Sequence, residues 1–245
     1  AEAMSSTISI LMYHQIDAMP PRGTPMRGLI VTPQAFARQM GLLKMLGYQG
    51  LAMRDLEPYF SGEKQGKVFG ITFDDGYQNN LTHALPVLQH YGFSATCYAV
   101  SQQIGGTNYW DESKGITIKP LMNRTEWLQW QVGGMEIGSH TRNHVDLRAL
   151  SPAAAWEEIA HSKTDLEQWC GQEVRHFCYP YGFLTPALRD QVAQSGYTTA
   201  TTTQRARATV QDDPLCLPRV LVSGSNTLLH LLLKISTSYE DKRKK

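Results

Sequence analysis

Ile71-Thr72-Phe73-Asp74-Asp75-Gly76-Tyr77 is an apolar, β-branched approach that ends in two adjacent carboxylates and a glycine. Two acids at the tip of a buried strand are costly to desolvate unless a bound cation or a catalytic proton transfer compensates them. An ordinary strand end followed by an Asp-Gly turn has the same local spelling. The reading therefore turns on the segments to either side.

Upstream, residues 7–13 read as a buried strand ending at His14, and a Pro/Gly-rich loop follows at 18–28. Thr32-Pro33 opens a helix by cap-plus-proline logic, with Phe36, Met40, Leu43 and Leu46 at helical spacing and Gly47 closing it. A strand near 48–51, a helix over 54–60 and a strand over 67–73 lead into the acidic pair. Downstream, Asn79 or Asn80 caps a helix that stops at Gly92; a strand covers 93–99 and a glycine-rich insertion 101–120. Helix 124–132 and strand 134–138 run into Gly138-Ser139-His140. Ser151-Pro152 opens a long helix to Gly171, strand 174–179 ends at Pro180-Tyr181-Gly182, and Thr185-Pro186 opens a helix closed by Gly196. Strands at 197–201 and 217–222 and a leucine-rich helix at 225–235 complete the chain, and Asp241 to Lys245 read as a solvated charge run.

Strands alternate with helices about eight times without an internal boundary or repeat, the pattern of a parallel sheet with helical crossovers. A closed or nearly closed barrel is expected rather than an open doubly wound sheet. His14, Asp74-Asp75, His140 and Pro180-Tyr181 each follow a strand, so a barrel brings them to one face. An open sheet gathers such residues only near a switch point.

Composition narrows the classes. With 245 residues, 42% hydrophobic and 18% charged, the chain can bury a large core as one α/β barrel. Lys plus Arg exceed Asp plus Glu by one, 23 against 22, so no global field recruits nucleic acid. No apolar run approaches the roughly 20 residues of a membrane span, so no stable insertion is expected. Cys97, Cys170, Cys178 and Cys216 show no metal or disulfide spacing and read as mostly buried thiols of a reducing compartment. Ala1-Glu2-Ala3 ahead of Met4 reads as a vector-derived leader, which makes a cytoplasmic location the expectation. A removed signal peptide would place the protein in the periplasm or cell envelope instead.

His140 and His144 are four residues apart in Ser-His-Thr-Arg-Asn-His. On a helical turn that spacing puts two imidazoles on one side, as a metal pair requires. Two histidines and one carboxylate make a facial set that leaves positions open for water and substrate. Zinc is the leading expectation for such a set, with cobalt, nickel and iron also accepted. In the insertion, Tyr109 and Trp110 either stack on a sugar ring or pack the insertion onto the barrel.

Thr72-Phe73-Asp74-Asp75-Gly76, His140-Thr141 through His144, and Tyr179-Pro180-Tyr181-Gly182 together resemble the first three motifs of the polysaccharide deacetylases, the NodB-homology group of carbohydrate esterase family 4. Their order and strand-end placement match, and the resemblance spans roughly residues 8–222. It implies a distorted (β/α) barrel of seven or eight strands, with 1–245 as a single catalytic domain and flexible ends at 1–6 and 238–245. It further implies a divalent metal and hydrolysis of N-acetyl groups from an amino sugar of an N-acetylated saccharide. By the same resemblance Asp74 is the general base, Asp75, His140 and His144 are the metal ligands, and the Tyr181 backbone N–H binds the oxyanion beside a loop stiffened by Pro180.

Three departures qualify it. The arginine that in many members precedes the third-motif proline by two residues, and tethers the base, is replaced by Cys178, and Arg175 lies too early to stand in. The acidic-aromatic fourth motif has no counterpart; Asp212-Asp213 lacks the tryptophan. Leu-x-His near the end would put the acid at His230, within an apparent amphipathic helix, where it reads as structural. These departures resemble the poly-N-acetylglucosamine deacetylase branch, whose domain opens with Met-Tyr-His. Met12-Tyr13-His14 matches, and His14 takes the acid role that a histidine suits near neutral pH. Two alternatives stand beside this expectation: another metal amidohydrolase cleaving a small amide or ureide, and a non-catalytic carbohydrate-binding relic.

Overall fold

The structure, a computed structural model, describes residues 7–243. Its strands are β1 (Ile10–Tyr13), β2 (Gln15–Ile16), β3 (Ile30–Val31), β4 (Gln49–Leu51), β5 (Val68–Asp75), β6 (Thr96–Ala99), β7 (Glu136–Ser139), β8 (His176–Cys178), β9 (Thr199–Arg205) and β10 (Leu217–Leu221). The α-helices are α1 (Pro33–Met45), α2 (Met53–Phe60), α3 (Leu85–Tyr91), α4 (Arg124–Val132), α5 (Pro152–Trp156), α6 (Ser162–Cys170), α7 (Pro186–Gln194) and α8 (Leu228–Ser236).

Strands β5, β6, β7, β8, β9, β10 and β1 pair in parallel in that order, and β1 pairs back onto β5, with Leu11 opposite Ile71 and Tyr13 opposite Phe73. The ring closes at seven strands, the expected (β/α) barrel; β4 joins the start of β5 from outside it. Every residue of β5 is buried, as a central strand of a parallel barrel requires. Closure puts Tyr13, Asp75, Ala99, Ser139 and Cys178 at the carboxyl ends of neighbouring strands, so the segments after them share one face.

Local signals held where they were strong. Thr32 caps α1, its side chain accepting from Ala35 N at 3.1 Å, and Gly47 follows at φ +86°. Ser151 and Thr185 cap α5 and α7 in the same way. Trp127 and Trp130 are core residues, and Phe73, Tyr13 and Phe36 form an edge-and-face aromatic cluster beneath the site. Among the described residues no helix is long and apolar enough to cross a membrane.

Four details differ. Neither Asn79 nor Asn80 caps a helix; a π-turn at Asn80–Ala84 precedes α3, and both side chains reach across to the segment after β1. The long helix to Gly171 is broken by a π-turn at Glu157–His161 between α5 and α6. The 140–144 segment is a turn rather than a helix, with Thr141 and His144 at positive φ. Residues 1–6, 244 and 245 lie outside the described residues. Within the expected free tail, however, Glu240 is fully buried against Arg205 at 3.0 Å and Asp241 pairs with Arg207 at 2.8 Å, because one arginine at the end of β9 and another just after it supply partners that a local charge pattern does not reveal.

Candidate active site

The carboxyl-end face opens into a cavity of about 580 Å³ whose walls include His14, Asp74, Asp75, Trp110, His140, His144 and Tyr181. Residues from five separate segments thus meet in one place. Pro180 is buried behind Tyr181 in the same turn. A second cavity, of about 610 Å³, is lined by Arg54, Glu57 and Arg175, and Arg175 is bound to Glu57 there at 2.8 Å.

Backbone geometry at the site is unusual. Asp75, Thr141, His144 and Tyr181 are four of the five non-glycine residues with positive φ among those described. Such conformations cost free energy and persist only where surrounding contacts over-determine them. Gly76, at φ +83°, completes the turn after β5, and a Cβ there would lie 2.5 Å from the Trp127 ring. The acidic pair is thereby aimed into the cavity rather than onto helix α4.

Asp75, His140 and His144 converge. Asp75 Oδ1 lies 3.2 Å from His140 Nε2 and 3.1 Å from His144 Nε2, and all three residues are buried. Asp75 Oδ1 is buried without a hydrogen-bond partner among the described residues, a cost that a cation would remove. His140 Nδ1 donates to the Cys178 carbonyl at 2.8 Å, leaving Nε2 as the bare donor atom, the usual arrangement of a ligating imidazole. Burial pushes the Asp75 carboxyl up, but the two histidines overcome it and hold it well below the usual carboxylate range. Burial also lowers His144; it acts on His140 too, where Cys178 and Asp75 more than reverse it. The three groups therefore fit a divalent cation that displaces protons on binding.

Asp74 is held differently. Arg219, on β10, donates from Nη1 to Oδ1 at 2.7 Å and from Nη2 to Oδ2 at 2.8 Å. The guanidinium is fully buried and also bonds Thr72 Oγ1 at 3.1 Å and the Thr202 carbonyl at 2.8 Å. Burial raises the Asp74 carboxyl, and Arg219 outweighs it, so the group sits below its ordinary value. Cys178 Sγ packs 3.3 Å from Arg219 Nη2 and 3.7 Å from Asp74 Oδ2. A small side chain at 178 leaves room for the arginine to enter from β10. Asp74, His140 and Cys178 also cluster at metal-binding spacing, but the guanidinium on both Asp74 oxygens repels a cation there.

His14 Nε2 is 3.8 Å from Asp74 Oδ2. Its strand end is pinned by Asn80 Nδ2, which donates to the His14 carbonyl at 2.8 Å, and by Asn79 Oδ1, which accepts from Ile16 N at 3.1 Å. The His140–His144 turn is pinned by Glu158, which accepts from Arg142 N at 2.9 Å and Asn143 N at 3.0 Å. Glu158 sits in the π-turn, where the local unwinding sets its direction.

The motif residues thus all reach the site. His230 lies in α8 outside the cavity walls, and Arg175 pairs at the other cavity. Arg219, and the contacts of Asn80 and Glu158 at the site, are not indicated by the sequence motifs. For Arg219 the signal is a lone arginine within the apolar strand Leu217–Leu221; the other two carry none that local pattern exposes.

The chain is similar to known proteins in sequence and in fold. The family described as polysaccharide deacetylase matches residues 61–200. YxkH of Bacillus subtilis is 30% identical over 218 residues, covering 88% of this chain and 71% of its own. The poly-β-1,6-N-acetyl-D-glucosamine N-deacetylase of Staphylococcus epidermidis is 26% identical over 225 residues, covering 87% of this chain and 74% of its own. Among solved structures, the Streptococcus pyogenes deacetylase PplD, in complex with acetate, superposes with a TM-score of 0.83 at 26% identity over 95% of this chain and 99% of that one.

Proposed function

The chain belongs to the polysaccharide deacetylase family, and from that premise we propose that it is a metal-dependent N-deacetylase that hydrolyses N-acetyl groups of a glucosamine-containing glycan. The observation that carries the reading is the division of the acidic pair: Asp75 is drawn to His140 and His144, whereas Asp74 is drawn to Arg219.

Asp75, His140 and His144 would hold the cation, zinc being the first choice for two imidazoles and one carboxylate. When bound, such a cation supplies Lewis acidity to the attacking water and the acetyl carbonyl. Asp74 takes the proton from that water as general base. Arg219 keeps this carboxylate ionised and fixes both its oxygens, which trades basicity for constant readiness. The Tyr181 backbone N–H donates to the developing oxyanion, and Pro180 stiffens its turn. His14, whose Nε2 lies 3.8 Å from Asp74 Oδ2, gives a proton to the leaving amine, since an amide anion leaves poorly. Products are acetate and the free amine.

The deciding experiment combines elemental analysis of the purified protein with an acetate-release screen. The substrates are β-1,6- and β-1,4-linked N-acetylglucosamine oligomers and a ureide panel. Acetate release that chelation abolishes and zinc or cobalt restores is expected. Full activity after metal stripping, ureide hydrolysis without acetate release, or saccharide binding with no release under any divalent metal would each overturn the proposal.

A further inference from the structure

His144 lacks the hydrogen bond that normally orients a ligating imidazole. Its Nδ1 is buried without a partner among the described residues, whereas His140 Nδ1 has the Cys178 carbonyl. Its backbone is also in the left-handed region, at φ +54°. Something else must set the ring plane that points Nε2 at Asp75.

Trp110 lies flat on that ring, with centroids 4.2 Å apart and planes 7° from parallel. Tyr181 closes the other approach edge-on, at 4.8 Å and 84°. The segment that carries Trp110 is stitched to the histidine turn along its length. Ser101 N donates to the Thr141 carbonyl at 3.0 Å and Gln102 N to the Arg142 carbonyl at 2.9 Å. Gln103 Nε2 donates to Asn143 Oδ1 at 3.1 Å and Tyr109 Oη to the Asn143 carbonyl at 2.9 Å. Glu158 holds the same turn through the Arg142 and Asn143 backbone N–H groups.

We propose that Trp110 is a positioning residue for the metal centre: its stacking replaces the missing outer hydrogen bond of His144, and the 101–120 insertion exists in part to deliver it. The inference rests on Asp75, His140 and His144 binding a cation. A parallel aromatic stack restricts ring rotation as a hydrogen bond at Nδ1 would, and it excludes water from the His144 face.

The test is a Co²⁺ titration of the metal-stripped protein, read by ligand-field absorption and by quenching of tryptophan fluorescence, for wild type, Trp110→Ala and Trp110→Phe. The expected result is about 10- to 100-fold weaker binding in Trp110→Ala, the usual effect of losing an outer partner of a ligand. Trp110→Phe, which keeps a stacking ring, should bind within about threefold of wild type, and it also guards against a folding failure of the alanine variant. Unchanged Co²⁺ affinity in Trp110→Ala, with only KM for the glycan raised, would overturn the inference and assign the ring to the sugar. Equal weakening by alanine and phenylalanine would overturn the stacking argument. Wild-type protein that binds no Co²⁺ would instead sink the metal reading itself, and this inference with it.

Discussion

Arg219 grips both oxygens of Asp74, at 2.7 and 2.8 Å, across 145 residues of sequence, from a strand that shares β1 as a neighbour with β5. The pair is buried and geometrically complete, so removing one partner leaves an unpaired charge in a low-dielectric interior. Arg219→Met is expected to cost about 3–5 kcal/mol of stability in chemical denaturation. Burial, which raises Asp74 and is now opposed by Arg219, would then prevail. The acidic limb of kcat/KM should therefore move to higher pH, with kcat down about 10²-fold. An acidic limb in the same place would refute the tethering role. Arg219→Lys should restore stability more than rate, because a single ammonium cannot hold both oxygens.

The two aspartates should separate experimentally. Asp75→Ala, His140→Ala and His144→Ala are expected to lose bound metal in elemental analysis, together with activity. Asp74→Asn should keep its metal and lose about 10²- to 10⁴-fold in kcat, the span attributed to a general base. Metal loss in Asp74→Asn would show that the pair acts as one ligand set.

Asn80 is fully buried and holds the His14 carbonyl at 2.8 Å. Asn80→Ala orphans that carbonyl and should destabilise the protein by about 1–3 kcal/mol. If His14 is the acid, kcat in Asn80→Ala should fall together with that of His14→Ala, and the double variant should be no slower than His14→Ala alone. Additive losses in the double variant would place Asn80's effect elsewhere.

At the other end of the barrel His176 and Glu136 set opposing pH dependences. Burial lowers His176 to about 4 and raises Glu136 to about 7. Between pH 6.5 and 4 the unfolded chain takes up a proton at His176 that the folded protein refuses, so this residue costs stability as pH falls. Glu136 binds its proton more readily when folded, so over roughly pH 7 to 4.5 it favours the fold as pH falls. The two nearly cancel in the wild type. His176→Asn removes the first effect, and its stability relative to wild type should improve by about 2 kcal/mol between pH 8 and pH 5. Urea melts at the two pH values check this, and an unchanged difference would disprove it.

Much of the site was legible because its parts sit at strand ends. Asp74, Asp75, His14, His140 and Pro180-Tyr181 each follow an apolar run, and a barrel leaves such positions only one face to occupy. The cap signals at Thr32, Ser151 and Thr185 were readable for the same reason: a helix terminus is satisfied by atoms a few residues away. What failed was every inference that treated a long-range partner as local. Asn79 and Asn80 look like caps but hold the segment after β1, and the spacing of His140 and His144 suggests a helical turn that the chain does not form.

The sequence by itself determined the alternation of strands and helices, the motif order and hence the family, because each is written in residues close together along the chain. The motif resemblance implied a division of work within the acidic pair, and only the tertiary structure showed the contacts that separate the two carboxylates. Asp74 and Asp75 are chemically identical neighbours, and nothing local distinguishes them. The left-handed backbone at Asp75 turns it toward the histidines, and closure of β10 onto β1 brings Arg219 to Asp74, supplying from a distant strand the tether that Cys178 lacks.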